Sequence, residues 1–229
     1  MIRPLLAFAL ILPLAACSGG DDAPVANAPA ANRVVLTPYR RDPPMPTNLP
    51  DIVPVRIETE LGAITVALDH KRAPITTANF IRYADDRRFD GTFFYRAARK
   101  RGRPGEGFIQ GGIQHRARLM LPPIRLEPTT ETGLRHVDGT ISMVRSTSNT
   151  AMGDFTISID RNPGLDAHPE RDGDNMRYAA FGQVTEGMDV VRRILAQPTA
   201  AQEGTGPMAG QRLQRPVRIL TVRRIAPGG

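Results

Sequence analysis

The sequence contains a single cysteine and no clustered histidines, and both absences limit the chemistry it can carry. One thiol, that of Cys17, can form neither an internal disulfide framework nor a cysteine-based zinc cluster. No two of the four histidines have the spacing of helical metal ligands; they are His70, His115, His136 and His168. We therefore expect no metal site and no cofactor.

Lysine is also scarce: Lys71 and Lys100 are the only lysines among 30 basic residues. The formal net charge of +7, carried by arginine, favours anionic surroundings. Either the arginines form an ordinary solvated surface, or they attract the protein to anionic lipid headgroups. We expect no nucleic-acid partner, because the N-terminus directs the chain out of the cytoplasm.

The N-terminus has the pattern of an export signal. Arg3 precedes an apolar run from residue 5 to residue 14, which is too short for a stable membrane span. Beyond it, no apolar run approaches the roughly 18–20 residues that a membrane-spanning helix needs. The signal ends at residues 14–17 (LAAC), which resemble the lipobox of bacterial lipoproteins.

Because the sole cysteine lies at this position, we interpret residues 1–16 as a lipoprotein signal peptide and Cys17 as the lipidation site. The alternative is an ordinary cleaved signal followed by a chance cysteine. Ser18 after the cysteine resembles the outer-membrane sorting class. The predicted location is therefore the cell envelope, anchored by lipid to the outer membrane and facing the periplasm.

Residues 17–50 are rich in alanine and proline and show no sustained apolar period. Such a segment cannot bury enough surface to offset its conformational entropy. We predict a disordered tether that spans about 30–35 Å as a flexible coil. The folded domain is predicted to be residues 51–229.

The folded part begins with two runs of alternating apolar residues. Val55 and Ile57 belong to the first run and Ile64 and Val66 to the second, and together they predict a hairpin with one buried face. A helix is predicted from residue 74 to about 86 and a second over residues 187–195. Further strands are predicted at residues 92–96, 108–113, 139–144, 155–159, 178–184 and 217–225. Many short strands with only two helices favour a mainly β fold, a closed antiparallel barrel.

Five segments, in order, resemble the cyclophilin family of peptidyl-prolyl isomerases. They are residues 73–80 (APITTANF), 94–96 (FYR), 107–112 (GFIQGG), 139–143 (GTISM) and 181–191 (FGQVTEGMDVV). The resemblance implies a closed eight-stranded antiparallel barrel capped by two α-helices, with a proline-binding groove on its outer wall. It also implies a monomer that takes proline-containing, unfolded or extended polypeptides as partners.

Isomerisation of an X–Pro bond needs few groups. The barrier of about 18–20 kcal/mol comes from amide resonance, so no nucleophile, metal or cofactor is required. A pocket holds the proline ring, and a donor bonds the prolyl nitrogen as its lone pair localises in the twisted state. A guanidinium suits this role because it stays protonated and its planar fork can be fixed by neighbours.

By the resemblance, the donor is Arg96, in the register of the family's Phe-His-Arg strand. Gln110 corresponds to the glutamine that orients this arginine and touches the substrate. The resemblance places the other substrate-binding positions at Phe108, Val144, Asp154, Thr156, Leu165 and Tyr178. Each of these residues could equally serve ordinary core or rim packing.

Several residues depart from the family pattern. The link between Arg96 and Gln110 is longer and basic, Gly107 replaces an apolar residue, and Gly164 replaces a common aromatic residue. Thr156 stands where the family usually has phenylalanine. The sequence thus predicts a shallower, more polar groove and a modest catalytic rate.

Two alternatives to an isomerase remain at this point. One is a non-catalytic module that uses the same groove to bind proline-containing chains. The other is a structural envelope protein whose basic surface binds lipid or glycan polyanions. A hydrolase is not supported, because the sequence has no Gly-x-Ser-x-Gly motif.

Overall fold

The computed structural model describes residues 42–200 and 208–226. The predicted signal peptide, the lipidation site Cys17 and most of the predicted tether lie outside these residues.

Within the described residues, eight antiparallel strands close into a barrel in the order β1-β2-β7-β5-β6-β4-β3-β8. Their bounds are β1 Ile52–Thr59, β2 Gly62–Asp69, β3 Phe93–Lys100, β4 Arg103–Gly112, β5 Thr140–Met143, β6 Asp154–Ile159, β7 Ala179–Glu186 and β8 Arg212–Arg224. The predicted fold class is therefore confirmed.

The barrel interior is filled by apolar side chains that alternate along each strand, as the period-two pattern predicts. On β1, for example, Val53, Val55 and Ile57 are buried. An aromatic cluster joins the interior to the first helix: the ring of Phe80 lies 5.4 Å from that of Phe155 and 5.5 Å from that of Phe181. The inward-facing residues of each strand pack in the core. The outward-facing residues of the same strands are therefore available to form a site.

Three α-helices occur in the described residues: α1 Pro74–Asp85, α2 Thr129–Thr132 and α3 Met188–Leu195. The sequence predicted α1 and α3 but not α2, a single turn without enough residues to show a helical period. None of the helices in the described part of the chain is long and apolar enough to cross a membrane.

Gly187 at the start of α3 is required by geometry. Its φ is +85°, and a Cβ there would lie 2.3 Å from the carbonyl oxygen of Ala63 on β2. The glycine thus permits the close approach of α3 to β2.

The basic link between Arg96 and Gln110 forms a long hairpin. The sequence predicted a strand ending at Arg96, but β3 continues to Lys100 and β4 starts at Arg103. Gly107 in this hairpin has φ +139°, and a Cβ there would lie 1.9 Å from the carbonyl oxygen of Ala98. Close approach of the two backbones therefore accounts for a glycine where the family pattern has an apolar residue.

The packed unit also begins earlier than the predicted boundary at residue 51. Arg82 Nε of α1 donates a hydrogen bond to the carbonyl oxygen of Pro43, and Arg88 Nη2 lies 3.5 Å from Asp42 Oδ1. Leu49 packs against the core. Residues 42–50, which the sequence predicted as the end of the tether, thus contact the domain. The sequence did not show these contacts because they have no periodic spacing.

We predict that deleting residues 42–50 destabilises the domain without unfolding it. Loss of the contacts to Pro43 and Asp42 and of the partial burial of Leu49 should cost about 1–3 kcal/mol. Chemical denaturation of residues 17–229, 42–229 and 51–229 measures this. The midpoints of 17–229 and 42–229 should be equal, and that of 51–229 should be lower. Equal midpoints for all three would show that the contacts contribute nothing.

Candidate active site

A small cavity of about 70 Å³ opens on the outer wall of the barrel. It is lined by Arg96, Phe108, Gln110, Val144, Thr156, Leu165 and Tyr178. The structure thus brings together seven of the eight side chains that the resemblance assigned to catalysis and substrate binding.

Strand register places the central residues of this cavity side by side. Arg96 on β3 is opposite Gln110 on β4, and Gln110 is opposite Thr156 on β6. Their sequence neighbours Ile109, Phe155 and Ile157 are fully buried in the barrel interior. Because side chains alternate along a strand, Gln110 and Thr156 face outward.

The guanidinium of Arg96 is held by oxygens from two glutamine side chains. Its Nη1 donates to Gln110 Oε1 at 2.8 Å, and its Nε donates to Gln211 Oε1 at 2.8 Å. Its Cζ also lies 5.1 Å from the centre of the Phe108 ring, a cation–π contact. Burial lowers the pKa of Arg96, while the hydroxyls of Tyr178 and Tyr95 raise it. Arginine stays charged under such conditions.

A bulge in β3 adds Tyr95 to this arrangement. Phe94 pairs with Gly111 and Arg96 pairs with Gln110, so Tyr95 between them is the extra residue. Bulges of this kind redirect a side chain. Here the bulge lets the side chains of both Tyr95 and Arg96 reach Gln110.

The Tyr95 hydroxyl fixes the orientation of the Gln110 amide. Gln110 Nε2 donates to Tyr95 Oη at 2.7 Å, and Tyr95 Oη donates to Asp154 Oδ1 at 3.1 Å. With its nitrogen bound to Tyr95, Gln110 presents its oxygen to Arg96. Burial, then the charge of Asp154, raises the pKa of Tyr95, so the hydroxyl remains a donor.

Asp154, the eighth residue that the resemblance assigned to the site, does not line the cavity. It is 4% exposed, and its Oδ1 also accepts a hydrogen bond of 2.8 Å from the backbone N–H of Gln114. Burial raises its pKa, while the bonds from Gln114 and Tyr95 lower it. The segment after β4 covers this end of β6. Asp154 therefore contacts Tyr95 by accepting its hydroxyl hydrogen bond, on the side of Tyr95 away from the cavity.

The Thr156 hydroxyl makes one hydrogen bond within the sheet. It lies 2.8 Å from that of Ser142, its partner on β5. At Gly164 an added Cβ would contact nothing within 4 Å, in accord with the predicted shallow groove.

The segment that carries Leu165 is anchored by buried polar groups. Asn162 Nδ2 donates to the carbonyl oxygen of Gly107 at 2.9 Å. Asp166 Oδ1 lies 2.7 Å from Nδ1 of the fully buried His136 side chain. Burial lowers the pKa of His136, while Asp166 raises it. These contacts hold one wall of the cavity in place.

Tyr178, whose backbone N–H lies 3.3 Å from the carbonyl oxygen of Leu165, is positioned by Arg145. The side chain of Arg145 is 5% exposed, and its Cζ lies 5.8 Å from the centre of the Tyr178 ring. Arg145 also forms a two-pronged ion pair with Asp174 and donates to the carbonyl oxygen of Arg177.

Sequence reasoning missed Tyr95, Gln211 and Arg145 as supports of the site. Tyr95 could have been found, because it occupies the central position of the FYR motif. For Gln211 the sequence gives no signal, since it precedes β8 without a recognisable pattern and lies 115 positions from Arg96.

Comparison with known proteins gives consistent results. Residues 54–224 match the family model described as cyclophilin type peptidyl-prolyl cis-trans isomerase/CLD. The chain is 36% identical over 157 residues to peptidyl-prolyl cis-trans isomerase A of Dickeya dadantii, covering 67% of this chain and 75% of the relative. It is 32% identical over 173 residues to a peptidyl-prolyl cis-trans isomerase of Acinetobacter baylyi, covering 74% and 84%.

Among solved structures, a cyclophilin type peptidyl-prolyl cis-trans isomerase of Cryptosporidium parvum superimposes with a TM-score of 0.60. The match covers 76% of this chain and 98% of that one at 18% sequence identity, which supports the fold alone.

We predict that Tyr95→Phe loosens Gln110. Without the hydroxyl, Gln110 Nε2 and Asp154 lose a partner, which should cost about 1–3 kcal/mol of stability. NMR relaxation of the Gln110 side-chain amide should show greater mobility. The matched control is Tyr83→Phe, which removes another buried hydroxyl. The Tyr83 hydroxyl accepts a hydrogen bond of 2.9 Å from the backbone N–H of Leu121, and Tyr83 does not line the cavity. An unchanged Gln110 signal in Tyr95→Phe would refute the positioning role.

Proposed function

We propose, because this chain belongs to the cyclophilin-type peptidyl-prolyl cis-trans isomerase family, that the cavity around Arg96 is the site at which it isomerises X–Pro bonds. The chain is an isomerase by family membership, and proline-containing polypeptides are its substrates. The residue assignments and the cellular location below are our proposals.

The proline ring would enter the cavity between Phe108, Val144, Leu165 and Tyr178. Arg96 would then lie beside the prolyl peptide bond and donate to the prolyl nitrogen. As the bond twists, resonance is lost and the nitrogen lone pair becomes an acceptor. Because this acceptor exists mainly in the twisted state, the donor stabilises the transition state more than the bound substrate.

The observation that carries this proposal is the fixed guanidinium in a cavity that is also lined by the apolar side chains of Phe108, Val144 and Leu165. Two side-chain oxygens, each 2.8 Å from a guanidinium nitrogen, orient the fork before substrate arrives. A preoriented donor loses little freedom at the moment of reaction. No covalent intermediate is needed, and no residue changes its protonation state.

We predict that Arg96→Ala lowers turnover far more than it lowers peptide affinity. A charge-assisted hydrogen bond contributes about 1.5–3 kcal/mol, which corresponds to about one to two decades in rate. Arg96→Lys should recover little, because an ammonium lacks the planar fork. Exchange NMR on a short X–Pro peptide measures both quantities.

The matched control is Arg56→Ala, which removes an arginine from β1, a strand that contributes no residue to the cavity lining, and should leave the rate unchanged. Equal rates for the unmodified chain and Arg96→Ala, both above background, would show that Arg96 is wrongly assigned. An unmodified chain that binds the peptide without accelerating exchange would favour the non-catalytic module.

We further propose that the isomerase works in the cell envelope as a lipoprotein. The support is sequence-based: the apolar run from residue 5 to residue 14, the LAAC motif and a sole cysteine at Cys17. Acyl chains on Cys17 would anchor the chain, since each buried methylene contributes about 0.8 kcal/mol. Its substrates would then be exported chains that have not yet folded.

We predict that the mature protein starts at an acylated Cys17 and fractionates with membranes. Cys17→Ser should move it to the soluble fraction without changing its melting temperature. Mass spectrometry of the membrane fraction tests this directly. An unmodified N-terminus at Cys17, or one elsewhere, would contradict the proposal.

A further inference from the structure

A second, larger groove adjoins the proline cavity. It has a volume of about 810 Å³ and shares Phe108 and Leu165 with the smaller cavity. The groove is therefore continuous with the site, and a polypeptide whose proline occupies the cavity would pass along it.

The walls of this groove are basic. Lys100, Arg101 and Arg103 come from the β3–β4 hairpin, and Arg161 comes from the segment after β6. Asp160 is the acidic residue among the lining side chains. Positive charge thus dominates beside the site.

The nearby carboxylates are already engaged. Lys100 Nζ lies 3.2 Å from Glu106 Oε2 and 3.1 Å from Asp160 Oδ2, and Arg103 Nη1 lies 3.2 Å from Glu106 Oε2. Accordingly, Lys100 lowers the pKa of Asp160. Arg101 and Arg161 are exposed, and within residues 42–200 and 208–226 neither forms an ion pair.

The groove is also preformed. Asn162 Nδ2 ties the segment after β6 to the carbonyl oxygen of Gly107 on β4 at 2.9 Å. Lys100 Nζ donates to the carbonyl oxygen of Arg161 at 2.6 Å, which joins the hairpin to the same segment. The two sides that carry Arg101 and Arg161 are therefore held together without a ligand.

We propose that this groove binds acidic side chains of the substrate, so that the isomerase prefers X–Pro segments with aspartate or glutamate within a few residues of the proline. This inference rests on the proposed function of the cavity. An extended chain advances about 3.3 Å per residue, so residues close to the proline lie within the groove. A concave groove continuous with the cavity fits a peptide better than a lipid surface.

The test compares pairs of X–Pro peptides that differ in one residue, glutamate or glutamine, placed at each of the first four positions on either side of the proline. NMR titration gives the affinity and exchange spectroscopy gives the rate, with the 17–229 chain. At one position at least, glutamate should improve binding about 3- to 10-fold, the range of two exposed ion pairs. High salt should remove most of this preference.

The variant R101Q/R161Q should bring the glutamate-to-glutamine ratio close to one. The matched control is R56Q/R72Q, which removes the same charge from β1 and from the segment that follows β2. Strands β1 and β2 lie opposite β6 and β4 in the barrel, so the ratio should persist. A ratio of one in the unmodified chain, or an equal loss in both variants, would overturn the proposal.

Vesicles containing an anionic phospholipid serve as a further probe. Vesicle binding that depends on Arg101 and Arg161, without any peptide preference, would overturn the proposal in favour of a lipid surface. The experiment distinguishes failure of the groove proposal from failure of the isomerase-site proposal. A glutamate preference in binding without accelerated exchange would support the groove and contradict the isomerase site, whereas accelerated exchange without preference would contradict only the groove.

Discussion

A guanidinium can stabilise a localising lone pair only if it is already in place, and the site depends on the hydrogen bond that holds it there. Arg96 donates to Gln110 Oε1, whose amide is oriented by Tyr95, which in turn is bound to the buried Asp154. Each group fixes the next, so the chain of bonds begins in the protein interior and ends at the cavity. Gln211 fixes the other side of the guanidinium.

The barrel provides the rigid frame for this series of hydrogen bonds. Pairing among β3, β4 and β6 sets Arg96, Gln110 and Thr156 in one row across the sheet. The inward-facing residues of the same strands fill the core, so the row cannot shift without disturbing that packing. The row also requires the bulge at Tyr95 in β3. Because of this bulge, the successive side chains of Tyr95 and Arg96 both contact Gln110.

Much of this could be predicted from local sequence. Alternating apolar residues predicted the strands, and the resemblance to the cyclophilin family predicted the seven side chains that meet at the cavity. What could not be predicted depends on contacts between distant segments. Asp154 shares the outward face of β6 with Thr156, and its contacts with Tyr95 on β3 and Gln114 after β4 form only in the folded chain. Gln211 and residues 42–50 have no periodic pattern, so their contacts with Arg96 and α1 appear only in the folded chain.

The hydrogen bonds to Gln110 and Gln211 should fix Arg96 in position before substrate binds. NMR relaxation at the Arg96 Nε–H bond of the free protein tests this most directly. We expect an order parameter close to that of rigid backbone, about 0.85, with little change when an X–Pro peptide is added. A value below about 0.6 in the free protein, rising only on addition of peptide, would show instead that the substrate itself orders the arginine.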